Sequence, residues 1–340
     1  MIHDILVPVT FGLALFLFGM KLMEASLHAW AGPKLIRVLH ATTRTPWTGL
    51  VSSTVISAAL QSSTAVTVMT IGLVNAGLLS YARTLGVILG GNIGTCLTTE
   101  LIALDISSIG VPLLIISLLF WAAAVTAQEM IPGRRNSKWF SLLTPVQFGS
   151  FATAGFSLII IAIRWMQSIG PGLKAYGIID WLLDHAGDSL LWGAVAGAIL
   201  TALVHSSAAT IAMTMGLVAT GALPVHLGIA VVIGSNVGTC VTALIASIGG
   251  TRAGVFVAWS HVALNVIGAA LFLPLTSQLG TVSAWLSSDL SSQIAHAQSI
   301  FNIVCSLLAL PLCYLPVWSR LERPPVTTTG PAAYMRSRKS

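Results

Sequence analysis

Gln61-Ser62-Ser63-Thr64-Ala65, followed by Gly72, Gly77 and Gly90-Gly91-Asn92-Ile93-Gly94-Thr95-Cys96, decides how this chain folds. It recurs as His205-Ser206-Ser207-Ala208-Ala209, Gly216, Gly221 and Gly234-Ser235-Asn236-Val237-Gly238-Thr239-Cys240. The spacing is a constant 144, from Gln61 to His205, Gly72 to Gly216, Asn92 to Asn236 and Cys96 to Cys240. One offset held without a gap through this many Gly, Ser, Asn and Thr positions marks an internal repeat. Its polar, glycine-interrupted parts are expected to build one site.

Around these stretches the chain is apolar. Of 340 residues, 55% are hydrophobic and 8% charged, against a usual charged share of about 25%. So few charges cannot wet the surface of a soluble protein this large, and apolar runs of membrane-spanning length recur from end to end. The expected class is an all-α integral membrane protein in the lipid bilayer. The net charge of +6 is then a matter of loops that orient the chain, not a nucleic-acid surface. The first apolar run carries Asp4 and no Lys or Arg ahead of it, with Lys21 and Glu24 behind, so it reads as a retained helix and not a signal peptide. Cys96, Cys240, Cys305 and Cys313 all lie in apolar segments and read as packing residues, ahead of a disulfide or metal site.

The run from Val7 to Met23 is the first helix, and Gly32-Pro33 and Pro46 punctuate the connector that follows. Residues 48–79 are apolar except at Gln61-Ser62-Ser63. A straight helix of that length would reach about 48 Å, well beyond a hydrocarbon core of about 30 Å. Broken at the serines, it becomes a hairpin that dips into the membrane and returns. Residues 83–104 are about one crossing, with a break expected at Gly90-Gly91-Asn92, and Pro112 to Ala127 is a further span. The second half repeats this plan. Gly155-Phe156-Ser157-Leu158 through Arg164-Trp165-Met166 matches Gly12-Leu13-Ala14-Leu15 through Lys21-Leu22-Met23 at an offset of 143. It is followed by a connector (170–190), interrupted stretches at 193–222 and 227–248, and a span at 254–273. The units are a first transmembrane repeat (1–133), a cytoplasmic basic loop (134–144) and a second repeat (145–278). An extracytoplasmic connector with a last helix (279–318, the helix from about Ser299 to Val317) and a disordered cytoplasmic tail (319–340) complete the chain.

Three crossings per half make the second repeat inverted. With the amino terminus outside and the carboxyl end in the cytoplasm, only Arg164 and Lys174 of the 16 Lys and Arg residues fall outside. The equivalent connectors differ as expected: 30–47 is basic, whereas 170–190 carries Asp180, Asp184 and Asp188. This agrees with the positive-inside rule for a cytoplasmic (inner) membrane.

Hydroxyls and amides in an apolar segment cost free energy unless they find partners. At a hairpin tip, Gln61, Ser62, Ser63 and Thr64, with His205, Ser206 and Ser207, are joined by the unpaired N–H groups of the following arm and its positive dipole end. Together these make an anion site that needs no side-chain cation. Asn92, Thr95, Asn236 and Thr239, with Ser62 and Ser206, offer hard oxygen ligands suited to Na⁺ if the glycines unwind the backbone. The bland alternatives are helix packing through small polar residues and a close helix crossing. No Gly-Lys-Ser/Thr follows the glycines, so this is no P-loop.

Duplicated Gln-Ser-Ser followed by Gly-x-Asn-Ile/Val-Gly-Thr resembles the type II sodium–phosphate cotransporters and their bacterial relatives, over essentially residues 5–317. The resemblance implies two inverted-topology repeats, each with a helical hairpin and a discontinuous transmembrane helix. It implies sodium-coupled symport of inorganic phosphate, with the hairpin residues on phosphate and the Asn, Thr and Ser oxygens on sodium. It implies no cofactor beyond Na⁺ as coupling ion and no enzyme activity, and it leaves a dimer open. Two departures stand out: His205 replaces the usual Gln and Ala208 a common hydroxyl. They keep proton coupling open, and the rival readings are an efflux carrier, a carrier of another small anion, or an anion channel. The regulatory carboxyl-terminal domain of some bacterial relatives has no match here.

Elsewhere, Glu100 lies inside an apolar segment, where an acid is a functional candidate. His261 with Asn265, and Gln298 with Asn302, sit one helical turn apart and suit interhelical hydrogen bonding. The remaining histidines are expected in or near loops. No nucleophile pairs with a base, and no two carboxylates sit as a hydrolytic pair.

Overall fold

The computed structural model describes residues 2–104, 107–130, 138–168, 172, 175–177 and 189–322. Arg134 and Arg135, Lys174, the acidic connector with Asp180, Asp184 and Asp188, and the tail beyond Glu322 lie outside the described residues. Within them the chain is helical, and seven helical segments are long and apolar enough to cross a membrane. The chain is a multi-pass membrane protein.

Helix α1 runs Val7–Thr42, passing Met23 and the Gly32-Pro33 pair where a connector was expected. Pro33 withholds one N–H from the carbonyl of Ala29, which is on an exposed face where a single missing bond is tolerated. Its counterpart α6, Lys138–Gln167, starts inside the stretch read as a basic loop and takes Pro145 into its interior. The two helices cross where glycines oppose each other. A Cβ on Gly19 would stand 2.6 Å from the Gly155 carbonyl oxygen, so only glycine permits this approach.

Each hairpin has the expected form. Helix α2 (Pro46–Leu60) opens on Thr45, whose side chain forms a capping box with Thr48, and on Pro46 at the first turn. It stops at Gln61, and α3 (Ser63–Asn75) begins after Ser62. In the second half α7 (Leu190–Val204) stops at His205, and α8 (Ser207–Ala219) begins after Ser206. Arms of 13 to 15 residues reach only about 20 Å, short of a crossing of about 30 Å.

The glycine-rich helices correct the expectation of a broken strand of helix. Helix α4 is continuous from Tyr81 to Ala103, straight through Gly90-Gly91-Asn92. In the second copy α9 (Val225–Gly238) passes through Gly234 unbroken. A slight irregularity comes only at Thr239, before α10 (Cys240–Ser247). The glycines serve close packing. A Cβ on Gly90 would overlap the Leu50 carbonyl and one on Gly94 the Ser57 side chain; Gly234 stands the same way against Ala194, and Gly238 against Ala198. Each of these helices is thereby pressed onto the first arm of its own hairpin.

Helix α5 (Gly110–Met130) packs on α6 and turns residues such as Leu119 and Phe120 outward, as lipid-facing positions require. Helix α11 (Arg252–Phe272) continues through a short turn into α12 (Thr276–Leu286). The last long helix, α13 (Leu290–Ala309), starts well before Ser299, capped by Asp289 Oδ2 accepting from the Ser292 N–H at 2.7 Å. A 3₁₀ turn and α14 (Val317–Glu322) follow. Phe16, Ile211, Ile233, Ile294 and Phe301 are buried together in a core that joins α1, α8, α9 and α13.

Candidate functional site

The two hairpin tips share one backbone geometry. Gln61 (φ 54°) and His205 (φ 56°) are left-handed, and among the described residues no other non-glycine has positive φ. That conformation costs an L-residue about 1–2 kcal/mol. It ends one arm and swings the next residue into an extended cap: Ser62 has φ −152°, Ser206 φ −150°. Each serine then accepts from a first-turn N–H: Ala65 N–H to Ser62 Oγ and Ala209 N–H to Ser206 Oγ, both at 3.2 Å.

Both tips open on one cavity of about 120 Å³. That is room for several waters or a small oxyanion with ions. The cavity brings together Gln61, Ser62, Ser63 and Thr64, with His205, Ser206 and Ser207, and adds Thr95 and Thr239 from the glycine-rich helices. Two helix N-termini, those of α3 and α8, begin at its wall, so positive dipole ends from both halves face one space.

Asn92 and Asn236 do not line the cavity. Asn92 sits between helices: its Nδ2 donates to Asn265 Oδ1 at 3.2 Å, and its Oδ1 lies 3.3 Å from His261 Nε2. Asn236 is buried and donates to the Val232 carbonyl at 2.9 Å. His261 with Asn265 thus joins α11 to α4. Gln298 with Asn302 joins α13 to α4, through Thr99 Oγ1 donating to Gln298 Oε1 and Asn302 Nδ2 reaching Cys96 Sγ at 3.4 Å. All four cysteines are free thiols.

Sequence reasoning missed six wall residues: Met20, Lys21 and Glu24 of α1, Thr98 and Thr242, and Gln298. Thr98 and Thr242 carry the same 144 spacing, one turn beyond Thr95 and Thr239, and could have been found by it. The α1 residues gave no such signal. Lys21 reads as an inward-side charge near the end of the first helix, yet it faces the cavity and pairs with Glu24 at 2.7 Å.

The halves are not chemically equal. Gln61 is fixed, donating to the Ala58 carbonyl at 2.6 Å and accepting from Thr98 Oγ1 at 2.8 Å, whereas the His205 ring is exposed to the cavity. Ser62 Oγ donates to Glu24 Oε1; Ser206 Oγ reaches only Met20 Sδ, at 3.1 Å. Glu100 does not line the cavity: it accepts from Ser299 Oγ at 2.5 Å and pairs with His296 at 3.0 Å. His296 therefore sits on a transmembrane helix and not in or near a loop.

The family profile described as Na+/Pi-cotransporter matches residues 15–168 and again 158–290, one match for each half. An uncharacterized protein of Bacillus subtilis (strain 168), YqeW, is 36% identical over 313 residues, 92% of this chain and 95% of that protein. The protein of Escherichia coli (strain K12) named "Putative inorganic phosphate export protein YjbB" is 25% identical over 299 residues, 88% of this chain and 52% of that protein. The chain thus spans about half the length of that second relative. No solved structure matches. Matched once in each half around its twin hairpin tips, and along nearly its whole length by a bacterial relative, the chain belongs to the Na+/Pi-cotransporter family.

Proposed function

We propose that this protein is a secondary transporter that moves inorganic phosphate across the cytoplasmic membrane by symport with sodium, through two inverted hairpin-bearing repeats. The observation that carries this reading is the convergence of Ser62, Ser63, Ser206 and Ser207 and two helix N-termini on one small cavity. Phosphate is held there by N–H and hydroxyl donors from both halves, with Gln61, Thr64 and His205 at its flanks. Sodium sits among the oxygens of Thr95, Thr239, Ser62 and Ser206 and offsets the burial of the anion. Asn92 and Asn236 support these positions from behind in this conformation. Rocking of one repeat against the other exposes the shared site to each side in turn.

Uptake of radiolabelled phosphate by proteoliposomes under sodium, potassium or pH gradients tests this reading. A sodium gradient should drive concentrative uptake, and Ser63→Ala with Ser207→Ala should abolish it. Equal uptake in sodium and potassium would remove the sodium coupling, and no phosphate flux under any gradient would remove the cargo. A second reading keeps the cargo and reverses net transport to efflux. It is favoured by the name of the E. coli relative, "Putative inorganic phosphate export protein", and counterflow from preloaded vesicles separates the two.

A further inference from the structure

We propose that Glu24 makes anion binding in the cavity depend on a co-bound cation; the inference rests on the phosphate-carrying reading above. Among the wall residues Lys21 and Glu24 are the two with formal charge, and His205 is the remaining titratable group. The pair is unequally placed. The Lys21 side chain is 68% exposed and that of Glu24 19%. The positive charge is therefore solvated, while the negative charge lies against the first hairpin tip, where screening is weaker.

Glu24 also holds a donor. Ser62 Oγ, one of the hydroxyls that would face an anion, already donates to Glu24 Oε1. Its counterpart Ser206 donates to a thioether, a weak acceptor that an oxyanion displaces readily. The asymmetry comes from α1, which sets Glu24 on the first tip and Met20 on the second. At the 143 offset the counterpart of the charged Glu24 is the neutral Gln167. The second tip is thus open to the anion, and the first is held by a tethered carboxylate of the same sign. Lys21, being solvated, offsets the Glu24 charge only in part, so anion and carboxylate still repel across this short space unless a second cation sits between them on the carboxylate and the Ser62 oxygen. That cation is sodium, or a proton taken up by Glu24 itself.

Equilibrium binding of radiolabelled inorganic phosphate to the purified full chain, with and without sodium at constant ionic strength, tests this. In the unaltered protein sodium should tighten phosphate binding by about tenfold or more, within the usual range of coupling between sites. Glu24→Gln should bind phosphate more tightly without sodium, and its response to sodium should fall below about threefold. Lys21→Gln breaks the same ion pair but keeps the carboxylate, so it should keep the full sodium response. If the cation is a proton, acidification should tighten binding in the unaltered protein and not in Glu24→Gln. Glu24→Gln with an undiminished cation response overturns the proposal. So does loss of that response in Lys21→Gln, which remains informative if Glu24→Gln does not fold. Phosphate binding indifferent to sodium and pH in the unaltered protein overturns it while leaving the cargo intact. No phosphate binding under any condition removes the cargo reading instead.

Discussion

Ser62 and Ser206 each do two jobs at once: they cap a helix and present a hydroxyl to the cavity. Replacing either with Ala should cost about 0.5–2 kcal/mol as a lost cap, read by thermal unfolding in detergent, beside any loss of transport. Ser62→Ala also strips Glu24 Oε1 of its donor, so it should be the more costly of the two. His205 offers a cleaner separation of fold from function. Its left-handed backbone is paid for by the surrounding packing, and its ring is exposed to the cavity. His205→Gly should leave thermal stability unchanged or raised by up to about 1 kcal/mol, since glycine adopts this φ without strain. His205→Val should lower stability, because a β-branched residue is a poor fit there. Equal melting temperatures for the two variants would show that the tip is not strained.

At the scale of elements, the glycines of α4 set how close a hairpin lies to its own transmembrane helix. Gly90→Ala should destabilise by about 1–3 kcal/mol through overpacking, because its methyl would overlap the Leu50 carbonyl. Gly72→Ala is the control. A Cβ there meets nothing within 4 Å, so helix propensity alone should make the variant neutral or more stable by up to about 1 kcal/mol. Thermal melts of the two proteins side by side check this. The same elements show what the repeat could and could not tell. A polar interruption in an apolar run marked both hairpin tips correctly. The glycine run admitted either an unwound backbone or a close crossing. The helix partner that decides between them, α2 for α4, is a tertiary fact. Asn92 illustrates the point, since its two partners lie far along the chain on α11.

Across the whole molecule, the proposed inverted repeats, with three crossings each, would put equivalent positions on opposite sides of the membrane. Thr45 and Ser189 are equivalent at the 144 spacing, each preceding the first arm of its hairpin. In a background with Cys96, Cys240, Cys305 and Cys313 replaced, Thr45→Cys should react with an impermeant maleimide only from the cytoplasmic side. Ser189→Cys should react only from the opposite side. Labelling of both from one side would end the inverted arrangement and the alternating-access scheme built on it. The excess of basic residues near Thr45 is the physical basis for the expected sense.

The membrane class, the duplication, the hairpin tips and most hydroxyls of the cavity follow from the sequence alone. Composition, a constant spacing and polar breaks in apolar runs are local properties that survive in one dimension. Thr98 and Thr242 were within reach of the same spacing. The charged pair of α1, the contribution of Gln298 from the unduplicated last helix, and the diversion of Asn92 and Asn236 away from the cavity were not. Each depends on which helix packs beside which, and helical periodicity gives a residue's direction around its own axis but not the neighbour it meets. The tertiary structure alone therefore decided that a carboxylate from the first helix rests on one hairpin tip and a thioether on the other.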